Sequence, residues 1–100
     1  MYDLRNLTKL KRFSELAPDA FRKFVEFDEA AYKDGAIPHK YKELIAVAVA
    51  LTTQCPYCID IHSKKARKAG ATDQELAETT LVAAALRAGG AITHGTHTLE

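Results

Sequence analysis

The sequence predicts an all-α fold, a small helical domain of about five to six helices. Apolar residues recur at intervals of three and four positions, as they do along one face of a helix. Helix start and stop signals separate these stretches, among them Pro18, Pro38, Pro56, Gly70 and the "TDQE" capping box. No stretch alternates polar with apolar residues as a half-buried strand does.

The first two helices are predicted to be short and amphipathic. Apolar side chains recur at every third position over residues 4–13. Pro18, which suits a first helical turn, opens the second helix, and Gly35 offers its C-terminal stop. We therefore expect one helix on each side of residue 17.

The third helix carries the most apolar stretch of the chain. It opens at Pro38, includes Glu43 and continues through the eight residues "LIAVAVAL", 44–51. A strand is the minority interpretation, because no second strand exists to pair with it. A membrane span needs roughly 20 apolar residues, so we expect a buried helix. Because this helix is apolar all round, a homo-oligomer is expected to enclose it.

The last two helices are predicted from their caps. The fourth runs over about residues 57–69 and ends at Gly70. In the fifth, Thr72 and Glu75 form the capping box, and the helix extends to about residue 88. Gly89 and Gly90 then predict a stop, or a kink followed by a helical remnant.

Composition excludes several functional classes. One hundred residues suit a single domain, here residues 1–100. With 14 Lys+Arg against 13 Asp+Glu, the net charge of +1 offers no field that would attract nucleic acid or an anionic membrane. The N-terminus resembles no secretory signal, so we expect a cytoplasmic protein. Two cysteines in a reducing compartment favour catalytic or metal-binding use over a structural disulfide.

The two cysteines stand three residues apart in "CPYC". Cys55 is predicted at or beside the N-cap of the fourth helix and Cys58 in its first turn, where backbone N–H groups and the helix dipole stabilise a thiolate. His62 follows Cys58 by one turn on the same face, close enough to exchange a proton with it. This spacing favours Cys58 as the activated thiol, whereas the dipole alone favours Cys55.

Glu43 can join this group if the chain reverses between the third and fourth helices. It would then lie about ten residues before the turn, with His62 about seven after it, so the two come level. Such a carboxylate orients His62, which deprotonates Cys58. Taken alone, Glu43 in "HKYKEL" is also typical of a surface residue.

The pattern of Glu43, Cys55-Pro56-Tyr57-Cys58 and His62 resembles the core motif of the alkyl hydroperoxidase D-like family, within the carboxymuconolactone decarboxylase superfamily. The segments "KYKELIAVAVAL", "HSKKARKAGATDQELAE" and "AALRAGGAITHG" resemble small members of this group, so the resemblance spans roughly residues 16–95. The best-studied branch has a second histidine where this chain has Tyr57.

The resemblance implies an all-helical fold, trimers or hexamers, and thiol-dependent peroxidase or disulfide reductase activity. By position, Cys58 would attack peroxide, Cys55 would be its disulfide partner, and Glu43 with His62 would form the proton relay. The expected partners are a peroxide or disulfide small molecule and an external dithiol reductant. No cofactor, nucleic acid or membrane is expected.

Other interpretations remain open. Cys55, Cys58 and His62 with Glu43 or His39 would suit zinc, although three ligands along one helix give poor tetrahedral geometry. A thioredoxin-like protein needs a βαβ context that this sequence lacks. Decarboxylases of the superfamily lack the cysteine pair, so the pair argues against ring-acid decarboxylation. A non-redox member of the superfamily and a non-catalytic oligomeric scaffold are the remaining alternatives.

The remaining histidines are interpreted mainly as surface or interface residues. His94 and His97, in the "HGTH" tail, could also line the site from a neighbouring helix.

Overall fold

The structure is a computed structural model that describes residues 2–100. All secondary-structure elements in this part of the chain are helices and none is a strand, which confirms the predicted all-α class. The elements are a 3-10 helix Leu4–Lys9, α1 Leu10–Leu16, α2 Pro18–Tyr32, α3 His39–Thr53, α4 Pro56–Lys68, α5 Asp73–Gly95 and a 3-10 helix Thr96–Thr98. Within residues 2–100, no helix has both the length and the apolar character required to cross a bilayer.

Two compact units divide the chain, one ending at His39 and the other beginning at Lys40. In the first unit, the predicted first helix is a 3-10 helix followed by α1. Pro18 opens α2 as expected, and the rings of Phe13 and Phe21 stack with centroids 5.8 Å apart. This aromatic contact holds α1 against α2. The single domain predicted from length stays a prediction.

In the second unit, the apolar run forms the middle of α3, so the strand interpretation is wrong. Leu44, Val47 and Ala50 are buried at a spacing of three residues, which places them on one face. Ile45 and Val49 point away from this face and remain 51% and 54% exposed. The second unit therefore covers only one side of this apolar helix.

The core of the second unit joins its three helices. Leu44 from α3, Ala66 from α4 and Ala71 from the following turn are buried together, and Leu76 of α5 packs against them. An ion pair between Lys40 and Glu75, with Nζ and Oε2 2.8 Å apart, also links the first turns of α3 and α5. The small alanine side chains let α4 approach its neighbours closely.

The connection from α4 to α5 follows the predicted signals. Gly70 adopts a φ of 100°, and the Ala71 N–H donates to the Ala66 carbonyl at 2.9 Å, as in a Schellman helix end. Thr72 then caps α5: its hydroxyl accepts from the Glu75 N–H at 3.1 Å, and the Glu75 carboxylate accepts from the Thr72 N–H at 3.0 Å. The predicted capping box is confirmed.

The predicted stop at the glycine pair is wrong, because α5 continues through it to Gly95. Neither Gly89 nor Gly90 adopts the positive φ that Gly70 uses to end α4. A glycine within a helix costs about 1 kcal/mol relative to alanine, and the good helix formers Arg87, Ala88 and Ala91 beside the pair offset part of that cost. The resulting α5 carries exposed apolar side chains along its length: Leu81, Val82, Leu86 and Ile92.

Candidate functional site

The α3–α4 turn places Cys55 at the junction of two helices. Gln54 adopts a φ of 56°, and the Cys55 N–H donates to the Ala50 carbonyl at 3.0 Å, which ends α3 in the same way as Gly70 ends α4. Cys55 is at the same time the N-cap of α4, and Pro56 occupies the first turn. No sequence pattern singled out Gln54, since the left-handed conformation usually selects glycine or asparagine.

The two sulfur atoms are in direct contact at the start of α4. Cys55 Sγ accepts a hydrogen bond from the Cys58 backbone N–H at 3.3 Å, and the two Sγ atoms lie 2.7 Å apart. Both cysteines are free thiols and partly exposed. A disulfide requires about 2.05 Å, so a small side-chain rotation suffices to close one.

These contacts give the two thiols different acidities. Contact with the Cys58 thiol, helped by a hydrogen bond from the Cys58 backbone N–H, lowers the pKa of Cys55. The pKa of Cys58 is raised to about 11, because its thiol contacts that of Cys55 and because it is partly buried. The first negative charge of the reduced pair therefore belongs on Cys55.

The chain reversal also brings Glu43 of α3 to His62 of α4. Glu43 Oε2 lies 2.9 Å from His62 Nδ1, across 19 residues of sequence. The Glu43 side chain is 0% exposed and that of His62 14%. The interpretation of Glu43 as a surface residue is therefore wrong. Glu43 and His62 face each other across the α3–α4 hairpin, as expected.

The buried carboxylate has one partnered and one unpartnered oxygen. Oε2 faces His62, whereas Oε1 of Glu43 is buried without a hydrogen-bond partner within the described residues. A buried carboxylate is costly unless it is paired, and the contact with Nδ1 supplies that pairing and orients the His62 ring. His62 lies one turn after Cys58 on α4, on the face of the helix that carries this thiol.

The contacts of the other histidines are with residues outside this group. His39 Nδ1 contacts the Tyr32 carbonyl oxygen at 2.6 Å. His94 and His97 stand side by side at the end of α5, with ring centroids 5.8 Å apart. Across residues 2–100, no three His, Cys, Asp or Glu side chains are grouped so as to hold a metal ion. The geometry therefore offers no support for the zinc interpretation.

A cavity of about 250 Å³ lies between the end of α3 and the middle of α5. Gln54 lines it from the turn that positions Cys55, and Arg87 lines it from α5. The Arg87 guanidinium donates through Nη1 to the Thr52 carbonyl oxygen at 2.7 Å, across 35 residues of sequence. Spacing arguments could not identify Arg87, because its contact depends on how α5 packs.

A family model matches most of the chain. The model of the carboxymuconolactone decarboxylase family matches residues 18–100. The chain therefore belongs to the carboxymuconolactone decarboxylase family.

Solved structures support the same assignment. The chain is similar to a carboxymuconolactone decarboxylase family protein from Legionella pneumophila, with a TM-score of 0.78 and 39% identity, over 90% of this chain and 80% of that one. A protein from Methanobacterium thermoautotrophicum matches with a TM-score of 0.82 and 35% identity, over 88% of this chain and 99% of that one.

Sequence relatives include proteins with and without a stated activity. The uncharacterized protein 4 in cox locus of Paracoccus denitrificans is 46% identical over 76 residues, covering 76% of this chain and 68% of the relative. An alkyl hydroperoxide reductase of Mycobacterium tuberculosis is 44% identical over 39 residues, which is 39% of this chain and 11% of that protein.

Proposed function

We propose that this protein is a dithiol oxidoreductase that reduces a peroxide or disulfide small molecule and is then regenerated by an external dithiol. The observation that carries the proposal is the contact between the Cys55 and Cys58 sulfur atoms, 2.7 Å apart at the N-terminus of α4. The buried pair of Glu43 and His62 supplies a proton acceptor on the same helix. The short match to an alkyl hydroperoxide reductase supports a peroxide substrate.

The proposed cycle moves two electrons and needs no cofactor. With a hydroperoxide, a cysteine thiolate attacks the O–O bond, takes one oxygen as a sulfenic acid and releases the other, with a proton, as an alcohol. The second thiol then displaces water and forms the disulfide. With a disulfide substrate, the attack forms a mixed disulfide, and the second thiol releases the remaining half as a thiol. An external dithiol reduces the protein disulfide.

The contacts favour Cys55 as the attacking thiol, whereas the family resemblance assigns attack to Cys58. The first negative charge is favoured on Cys55, because the Cys58 backbone N–H donates to its sulfur and contact with the Cys58 thiol lowers its pKa. Cys58, whose pKa is raised to about 11, then needs a base before it can close the disulfide. His62, oriented by Glu43, is positioned on α4 to accept that proton.

Exposed apolar side chains support assembly into a homotrimer or homohexamer. Ile45 and Val49 on α3 and Val82 and Leu86 on α5 are all more than half exposed. A second copy that covered these side chains would enclose the apolar helix α3, as the sequence requires. A reducing compartment such as the cytoplasm would keep the cysteine pair reduced between turnovers.

Counting thiols tests the redox proposal directly. One equivalent of an organic hydroperoxide should remove both free thiols and lower the mass of each chain by two hydrogens, and dithiothreitol should restore them. A Cys55→Ser, Cys58→Ser double variant is the control and should show no mass change. Two unreacted thiols in the native protein, after either a hydroperoxide or a small disulfide, would leave a non-redox or scaffold role in place of the oxidoreductase.

A further inference from the structure

Arg87 differs from the other arginines of the chain in what it contacts. Four of the five arginines form ion pairs with carboxylates: Arg5, Arg12, Arg22 and Arg67. Arg87 has no carboxylate partner within residues 2–100, and its one hydrogen bond there runs from Nη1 to the Thr52 carbonyl. Its Nε and Nη2 groups therefore keep donors free for a ligand.

The cavity beside Arg87 has the chemistry of an anion site. No Asp or Glu side chain lines it. The hydroxyls of Thr52 and Thr80, which do line it, already donate to carbonyls of their own helices, at 2.8 and 2.9 Å. The guanidinium and the Gln54 amide are therefore the donors that a ligand meets, beside the apolar side chains of Leu51, Ala83 and Ala84. A guanidinium binds a carboxylate through two parallel hydrogen bonds.

The cavity also lies beside the candidate catalytic turn. Gln54 lines it and is the residue immediately before Cys55. The carbonyl that anchors Arg87 belongs to Thr52, three residues before Cys55, so the Cα atoms of Thr52 and Cys55 are at most roughly 10 Å apart. Neither cysteine lines the cavity, so a bound acid must extend past Gln54 for its other end to meet Cys55.

We propose that this cavity binds a carboxylate of the substrate at Arg87 and presents the substrate's peroxide or disulfide bond to Cys55. This inference rests on the dithiol function proposed above and specifies its substrate class as short organic acids. The volume of about 250 Å³ lies just below the range of roughly 300–1,000 Å³ that is typical of ligand pockets, which suits a small acid better than a peptide.

Selectivity between two matched disulfides tests the inference. The probes are dithiodipropionate and its neutral diamide, which have the same length and differ in the charge and donor pattern of their end groups. In Arg87→Met, the ratio of kcat/KM for the acid to that for the diamide should fall about tenfold, the value of one charge-assisted hydrogen bond. Arg87→Lys should keep part of the preference. Arg67→Met, at an arginine already paired with Asp73, is the control and should keep the native ratio.

An unchanged ratio in Arg87→Met would overturn the inference and leave Arg87 as a cap on the end of α3. Equal use of both probes by the native protein would also overturn it. Ala84→Leu fills the cavity without removing the guanidinium, and it should raise the KM for the acid.

A binding experiment shows whether the carboxylate site or the redox proposal has failed. The Cys55→Ser, Cys58→Ser double variant cannot react, so dithiodipropionate can be titrated into it and followed by amide NMR. Shifts confined to the surroundings of Thr52, Ala84 and Arg87 support the carboxylate site even if the native protein proves redox-inactive. Absence of shifts with the acid, or the same shifts with the diamide, overturns the site even if the redox proposal stands.

Discussion

Selective alkylation should show that Cys55 is the more reactive thiol of the reduced protein. The pKa of Cys58 is raised to about 11, whereas that of Cys55 is lowered from its ordinary value of 9.0. Because the two shifts have opposite directions, the thiolate fraction near neutral pH is higher on Cys55 than on Cys58. The lower intrinsic nucleophilicity of a more acidic thiol offsets part of this difference, and we expect a labelling preference of about tenfold for Cys55.

The assay is a short exposure to iodoacetamide, followed by peptide mass spectrometry. Cys58→Ala and Cys58→Ser are a matched pair of variants, because serine keeps a side-chain donor near the Cys55 sulfur and alanine removes it. Loss of that donor should raise the pKa of Cys55. The alkylation rate of Cys55 should therefore begin to rise at a higher pH in Cys58→Ala than in Cys58→Ser. If Cys58 is labelled before Cys55 in the native protein, this reasoning is refuted and Cys58 is the attacking thiol.

Three further predictions concern the relay, the turns and assembly. Glu43→Gln keeps the shape of the buried side chain but removes its charge, and His62→Ala removes the base. Each should slow single-turnover disulfide closure more than tenfold near neutral pH, with a double variant little slower than His62→Ala. Gln54→Gly should stabilise the protein against urea by about 0.5–1 kcal/mol, while Gly70→Ala should destabilise it by about 1 kcal/mol. Sedimentation equilibrium should show a trimer or hexamer.

Each of these predictions has an outcome that contradicts it. A Glu43→Gln protein with native closure kinetics would show that the carboxylate has a structural role alone. An added Cβ at Gly70 meets no atom within 4 Å, so a neutral Gly70→Ala would mean that its positive φ carries no strain. A monomer at micromolar concentration would show that self-association does not cover the exposed apolar side chains of α3 and α5.

Local signals were enough to place most helix boundaries. The capping box at Thr72 and the proline at the start of α4 act within one turn, so their effects are readable from neighbouring residues. The same locality explains the error at Gly89 and Gly90. A glycine ends a helix only where the chain leaves the helical conformation, and this depends on the residues C-terminal to the glycine as well as on the glycine itself.

The candidate site needed contacts between residues that are distant in sequence. Spacing placed His62 one turn after Cys58, and a helical hairpin made its contact with Glu43 plausible, but burial of that carboxylate depends on the packing of α3 against α4 and α5. Which thiol is the more acidic depends on which sulfur accepts a hydrogen bond from the Cys58 N–H. The residue pattern does not determine that contact. Arg87 reaches the end of α3 across 35 residues, and only packing of the helices creates that contact.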